Sequence, residues 1–530
     1  MKKRILTSIA ALLAVVGMQA QGIRLSNGDV LNYNEVDSIV VRGKQASIDR
    51  YVTNLIKKNT SISIFNEALE KTGLMDEMQV MEDYSWNYND RKYDWYHWKR
   101  VYAAGQWDLC DVPATKKQKF TVFAVSDEVL KAKYGITSVA QLEAYAQKTV
   151  GGKDALRHLM AYHCLPFAAA DYDKYVIITG IKTDIADRCV NPTAWYATMD
   201  DGHLLKMSKL LSPKDIKENG GVENHLYLNR GDMERYSGTG VEVFPDAIEG
   251  VNGVCYLADG LLDYGEGTQK NVFNTEMRMN IIELCPEFFS NDMRNYEPWN
   301  TMSSEDFNAP AKNYILPNGY LKNFKVNEDG LLMYEGARSW HWSYQGDEFD
   351  VVSDVNVYDL EITLPTLPEG EYQLRLGSCL LDSRPVVDVS IDGQVTRSLD
   401  MRSTNGFAEK IGWMPMSTLK GYDENNRNNI LANMHAKGWY HGPDDVFVTS
   451  WGRKDGTDAL SSAYDGNLFC NTSSLLRAVL GTLKSDGKGG HTLRLKSSYA
   501  PMSALMNIDY LEFVPVSLVD VPFEGDVESK

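Results

Sequence analysis

The residue types able to do chemistry are spread along this chain rather than gathered in a known catalytic signature. Nine histidines are present. His158 and His163 stand five positions apart, so one helical face cannot present both. Tyr162 and His163 are adjacent, and a phenol beside an imidazole is a pair that general acid–base catalysis uses. The same pair also serves as a hydrogen-bonding unit of a core. Asp and Glu total 72. A glycoside-cleaving carboxylate pair is defined by the distance between two carboxyl groups, which spacing in sequence does not give. No phosphate-binding Gly-Lys loop, zinc-protease H-E-x-x-H, G-x-S-x-G elbow or EF-hand loop occurs. Cys110, Cys164, Cys189, Cys255, Cys285, Cys379 and Cys470 are odd in number and widely spaced, with no C-x-x-C. Several lie in apolar runs such as Met160 to Leu165 and Gly253 to Leu257, so they read as buried thiols.

Aromatic side chains carry the other candidate chemistry. The chain has 29 Tyr and 11 Trp. Sugar C–H faces stack on such rings while neighbouring polar groups take the hydroxyls. Trp340, Trp342 and Tyr344 alternate along one stretch and would share a strand face. Trp413, Trp439, Tyr440 and Trp451 fall in a long region of no clear period, near His441, Asp444, Asp445 and Arg453. The competing reading packs these rings between loops and core. A dense aromatic insertion runs from Tyr84 to Trp107 and suits either interdomain packing or a partner surface.

The elements that would position these residues change character along the chain. Residues 1–20 read as an export leader: Lys2, Lys3 and Arg4, an apolar run from Ile5 to Val16, then Met18-Gln19-Ala20. No Cys near Ala20 could carry a lipid, and no later stretch is long and apolar enough to cross a bilayer. Residues 21–46 suggest a β-hairpin lead-in turning at Asn27-Gly28. From 47 to 81 the period is helical: Ile48, Tyr51, Val52, Leu55 and Ile56, then Ile64, Phe65, Ala68 and Leu69, with Gly73 as a stop. Phe120–Val125 reads as a strand entering a helix capped by Ser126 or Asp127. Gly265 to Gln269 reads as a linker, and 272–296 as a helix broken at Pro286. From 314 the period becomes two, as in Tyr358 to Leu364, Tyr372 to Leu376, Val387 to Ile391 and Leu493 to Lys496. Turns at Asn318-Gly319, Asp329-Gly330, Asp392-Gly393 and Asp486-Gly487 divide these runs, which predicts an antiparallel sandwich, apolar inside and polar outside. A helix over Ser474–Leu483 is expected to interrupt it.

Length and charge narrow the function class. At 530 residues the chain exceeds one ordinary core. Its net charge of −18, three units more acidic without the leader cations, opposes nucleic-acid binding and polybasic membrane contact.

Two family resemblances follow from particular residues. Phe120–Leu130, Leu156–Pro166 with Tyr162-His163, and Val251–Tyr264 (VNGVCYLADGLLDY) resemble, in order and spacing, three blocks of fasciclin domains. The resemblance covers 47–265 and implies an α+β adhesion domain in which Tyr162 and His163 are a structural or adhesive motif. It departs from the family in the insertion 82–119 and in Val125, where Pro is usual. Tyr334-Glu335-Gly336, His491 to Leu495 and Asn507 to Phe513 resemble the galactose-binding-like jelly rolls of carbohydrate-binding modules, over 314–516. That resemblance implies an all-β sandwich and a structural calcium held by Glu335 and Asp509, whose hard oxygens suit the ion.

The expected chain is therefore an exported α+β fasciclin-like domain, a linker and helical segment at 266–313, an all-β jelly-roll sandwich at 314–516, and a tail at 517–530. Its expected role is non-catalytic adhesion or glycan binding at or near the bacterial cell surface, in the periplasm, on the outer membrane or outside. Trp340, Trp342, Tyr344, Trp439, Tyr440 and Trp451 are the stacking candidates, and a polysaccharide or a cell-surface protein is the partner. The alternative is a structural docking subunit of a glycan-uptake assembly that binds protein. A glycan-processing enzyme is a third reading.

Overall fold

The computed structural model describes residues 50–88, 109–169, 175–176, 193–209, 226–231, 240–294, 313–328, 330–336, 344–345, 347–353, 357–443, 471–500 and 505–519, with four short strands between 22 and 46. Those four form two antiparallel ribbons, Gly22–Arg24 with Val30–Asn32 and Ile39–Val41 with Lys44–Ala46.

The helical period at 47–81 produces the helices Val52–Lys57, Ser63–Lys71 and Leu74–Glu77. Ile64, Phe65, Ala68 and Leu69 are buried along one stripe. Gly73 ends the second helix in the left-handed region, at φ 79°. Ser126 caps Asp127–Tyr134 by accepting the Val129 amide. Asp127 instead accepts the amides of Ser63 and Ile64, tying two helix starts together.

These helices cover a seven-stranded sheet, in the order Cys164–Leu165, Phe120–Val125, Gly253–Ala258, Val241–Gly250, Leu226–Leu228, Leu204–Lys209 and Thr193–Ala197. Phe120–Val125 runs parallel to Gly253–Ala258, and its other neighbour, Cys164–Leu165, is antiparallel. A Cβ on Gly253 would stand 2.3 Å from the Phe120 carbonyl oxygen, so no larger residue fits there.

Among the described residues the second half builds three five-stranded sheets, one of them completed by Leu109–Asp111. One runs Met277–Asn280, Tyr510–Pro515, Gly370–Cys379, Leu475–Ser485, Trp439–His441. The next runs Leu505–Ile508, Glu348–Ser353, Gly330–Glu335, Asn313–Leu316, Leu109–Asp111. The last runs Phe324–Val326, Asp359–Thr363, Thr492–Tyr499, Val386–Ile391, Gln394–Asp400. The Asp392-Gly393 turn has positive φ at both residues, as a tight two-residue hairpin requires. The chain is thus mixed α/β and rich in β-structure.

Three expectations are corrected. Leu475–Ser485 is a strand, not a helix. It is buried on both faces at its start and slips register where Leu374 and Arg375 face Gly481 and Val479, so the apolar residues lose their alternation. Residues 272–296 do not form one helix: Met277 and Met279 alternate with Arg278 and Asn280 in an edge strand, and Pro286 opens the short helix Pro286–Ser290. Gly265 to Gln269 is no loose linker, because Gly265 caps a helix over Glu266–Val272.

One apolar core runs from Phe123 and Tyr162 through Phe288 to Phe513 and so spans both halves. A smaller one lies beneath the helices, with Phe65, Leu69, Val122 and Leu159. Leu109–Asp111 pairs in parallel with Asn313–Leu316, which carries the insertion into the second half. The Trp195 amide donates to Glu283 Oε2 at 3.1 Å, and the Lys117 amide to Asn291 Oδ1 at 2.7 Å. Trp86 of the insertion packs edge-on against Tyr320 at 5.1 Å, and Tyr88 donates to Asp111 Oδ2.

Candidate functional site

Tyr162 and His163 close the helix Ala155–Tyr162 and are fully buried. Tyr162 donates to the Leu204 carbonyl at 2.8 Å. His163 Nδ1 lies 2.7 Å from the Phe123 carbonyl oxygen, and Nε2 accepts the Leu262 amide at 2.9 Å. Burial pushes the imidazole down to about 4. The pair is therefore a neutral clamp without solvent contact. Of the two roles the resemblance implied for Tyr162 and His163, structural or adhesive, their burial and hydrogen bonds match the structural one.

A charged sheet face is the most developed polar arrangement in the second half. Register places Arg278 opposite Glu512, Glu512 opposite Arg375, and Arg477 opposite Tyr440. Directly opposed residues point to the same side, so these groups share one face with Tyr510. Met277, Met279, Leu511, Phe513, Leu374 and Leu376 line the other side and enter the core. Glu512 Oε1 accepts from Arg278 Nε at 2.8 Å, and Glu512 Oε2 stands 3.4 Å from Arg477 Nη1 and 3.8 Å from Arg375 Nη1. Glu276 Oε1 accepts from Arg278 Nη2 at 2.7 Å. Burial alone would raise the Glu512 carboxyl, but Arg477, Arg278 and Arg375 outweigh it and hold the group at about 2.

This face corrects the expectation of polar residues outside: Arg375, Arg477 and Glu512 are buried. The Tyr510 ring lies over Gly377, where a Cβ would stand 2.1 Å from it. Tyr344 packs against Tyr510 at 5.2 Å, with Arg278 above its ring. At the far edge Tyr440 is held between Arg375, 3.6 Å from its centroid, and the stacked His435 ring at 3.9 Å. Trp439 points to the other side and meets Phe407 edge-on.

The structure thus buries Tyr344, Trp439 and Tyr440, at 8%, 5% and 4% exposure. None of these rings offers an open stacking face, which corrects that part of the sequence reading. Trp340, Trp342 and Trp451 lie outside the described residues.

Glu335 and Asp509 are not brought together as a pair. Both Asp509 oxygens accept the Tyr344 amide, at 2.9 and 3.0 Å. Glu335 directly opposes Glu348 across two strands, and the two gather with Asp350 within 4.8 Å. All three are buried. Burial, then Asp350 and Glu348, push the Glu335 carboxyl well above its usual range, and Arg384 opposes them. Arg384 Nη1 stands 3.6 Å from Asp350 Oδ1. A second group with metal-ligand atoms joins His158, Asp200 and Asp201. Among the described residues these are the two such groups.

Sequence reasoning missed Glu348, Asp350 and the buried arginines. Glu348-Phe349-Asp350 does show a period of two that places both acids on one strand face. Leu374-Arg375-Leu376 and Leu511-Glu512-Phe513 likewise marked the charged face, though not its burial.

No protein-family model matches this chain, and no curated protein is similar to it. Among solved structures it is similar to "Structure of Paenibacillus xanthan lyase to 2.6 A resolution", at 10% identity and a TM-score of 0.21. The likeness covers 59% of this chain and 25% of that one, so the chain spans about a quarter of that protein's length.

Proposed function

We propose that this protein is a non-catalytic glycan-binding protein of the bacterial cell exterior, built from a fasciclin-like unit and a jelly-roll sandwich. One observation carries the reading. That observation is the second half itself, which folds into alternating antiparallel strands, the character that the resemblance to carbohydrate-binding jelly rolls implies. Trp340, Trp342 and Trp451 are the stacking candidates that the sequence leaves for sugar C–H faces. Arg278, Arg375, Arg477 and Glu512 are engaged with one another, so they fix the sheet rather than contact the ligand.

The fasciclin-like part of the reading is supported by His163. Its ring joins Phe123, in the first block of resemblance, to Leu262, in the third, while it belongs to the second. The carbohydrate-module part is supported by the strand alternation and by the acidic trio. Two carboxylate oxygens that face one another bind only through a shared proton or a cation. Glu335, Glu348 and Asp350 offer the all-oxygen set that calcium takes, with Asp509 outside it. In this reading the ion is structural.

A docking subunit that binds protein is the second reading. The packing of the half-buried Trp86 against Tyr320 favours it only within the chain, since that ring is already used at the seam between the halves. The full chain should be tested on a panel of polysaccharides, beside Trp340→Ala/Trp342→Ala. Retention by one polymer class, lost in the double variant, supports the glycan reading. A folded parent that no polymer retains favours docking.

A further inference from the structure

Away from the charged face, a second set of ligand-type side chains gathers where the helix Ala155–Tyr162 meets the turn between Thr193–Ala197 and Leu204–Lys209. His158 Nδ1 lies 2.6 Å from Asp200 Oδ1. One ligand atom from each of His158, Asp200 and Asp201 falls within 4.8 Å of the other two. Asp200 is buried, His158 half-buried and Asp201 exposed, so the group opens to solvent on one side. His203 holds the far side of Asp200, with Nδ1 3.1 Å from Oδ2, and its other ring nitrogen lies 3.2 Å from the Gly487 carbonyl oxygen. Thr366 donates its hydroxyl to the Asp201 carbonyl at 2.7 Å and its amide to Gly202. The turn is therefore gripped from the second half of the chain.

We propose that His158, Asp200 and Asp201 bind a divalent transition cation, with zinc as the probe, at the seam between the two halves. The donor set decides the class. One imidazole nitrogen and two carboxylate oxygens suit zinc, whereas the oxygen-only trio at Glu335 suits calcium. Ligands about 2 Å from a tetrahedral zinc stand roughly 3.3 Å apart, which the spread of these atoms accommodates. The outer contacts also fit. One Asp200 oxygen faces the cation while the other stays on His203, and His203 in turn meets the Gly487 carbonyl, the kind of support that orients ligating carboxylates. The open side admits water as the fourth ligand. The cation replaces the proton between His158 Nδ1 and Asp200 Oδ1, and that proton leaves to solvent. The site does not depend on glycan binding.

The test uses the full chain, stripped of metal and then saturated with calcium so that oxygen sites are filled. Zinc is titrated by calorimetry, and cobalt by its visible absorption. His158→Gln and Asp201→Asn change solvent-facing groups, and circular dichroism checks that both variants fold. The expected result is one zinc per parent chain, weakened at least about tenfold in each variant, with zinc raising the melting temperature of the parent alone. Zinc uptake unchanged in both folded variants, or none by the parent at micromolar zinc, overturns the proposal.

Discussion

The backbone amide of Leu262 donates to Nε2 of His163 at 2.9 Å. An acceptor at Nε2 leaves the ring proton on Nδ1, where the Phe123 carbonyl takes it at 2.7 Å. A neutral imidazole thus bridges a strand, the end of a helix and the loop after Gly253–Ala258. A second proton on the ring would break the Leu262 contact.

Acid sensitivity follows from this bridge. The ring titrates at about 4 in the folded protein against an ordinary 6.5, so the unfolded chain binds the proton first. Stability is complete above pH 6.5 and is lost as the pH falls toward 4, by about 3 kcal/mol in all. His163→Gln should cost about 2–3 kcal/mol at pH 7.5 and flatten the slope between pH 6.5 and 4. Denaturant melts of both proteins across that range check it. Equal slopes would contradict the neutral bridge.

Glu512 predicts a second, lower window. Its folded value of about 2 lies below the ordinary 4.5, so its contribution is present above pH 4.5 and is lost as the pH falls toward 2. Glu512→Gln leaves Arg278, Arg375 and Arg477 with Glu276 as their remaining carboxylate and should destabilise by about 3 kcal/mol. Glu512→Gln/Arg477→Met should recover part of that loss. Urea unfolding of the three proteins measures both effects.

The two halves should unfold together. Leu109–Asp111 is a strand of a second-half sheet, and Met277–Asn280 forms the edge beside Tyr510–Pro515. A fragment starting at 310 lacks both strands and exposes the core around Leu511 and Phe513. Calorimetry should show one main transition for the full chain, and the fragment should melt broadly or aggregate. A fragment that melts as sharply as the full chain would show that the seam contributes little.

Calcium should stabilise the second half. Chelation is expected to lower the melting temperature, and Glu335→Gln should abolish the response to calcium while easing the repulsion among Glu335, Glu348 and Asp350 in its absence. A melting temperature indifferent to calcium in the parent would remove the ion from the account.

Much of the fold was legible because the patterns were local. The stripe Ile64, Phe65, Ala68, Leu69 and the alternation of Asp359–Thr363 and Val386–Ile391 each appear as read. The misreadings arose where burial is two-sided or pairing is remote. Leu475 and Leu476 are adjacent and both buried, so period alone suggested a helix. Met277–Asn280 is too short to announce itself and is defined by Tyr510–Pro515, more than 200 residues later. At the candidate site, Glu335 was found, but its partners Glu348 and Asp350 come from the register of the neighbouring strand. The aromatic residues Tyr344, Trp439 and Tyr440 could be named from sequence, whereas their burial depends on Tyr510, His435 and Phe407, which no spacing connects.

The central claim is that the full chain binds a glycan without transforming it. The direct measurement incubates it with each polysaccharide of a panel and follows two quantities, protein retained by the polymer and reducing ends released. The account predicts retention by one polymer class, no release of sugar, and loss of retention in Trp340→Ala/Trp342→Ala. Release of sugar that disappears on changing a single carboxylate would contradict it, and so would a folded parent that no polymer retains.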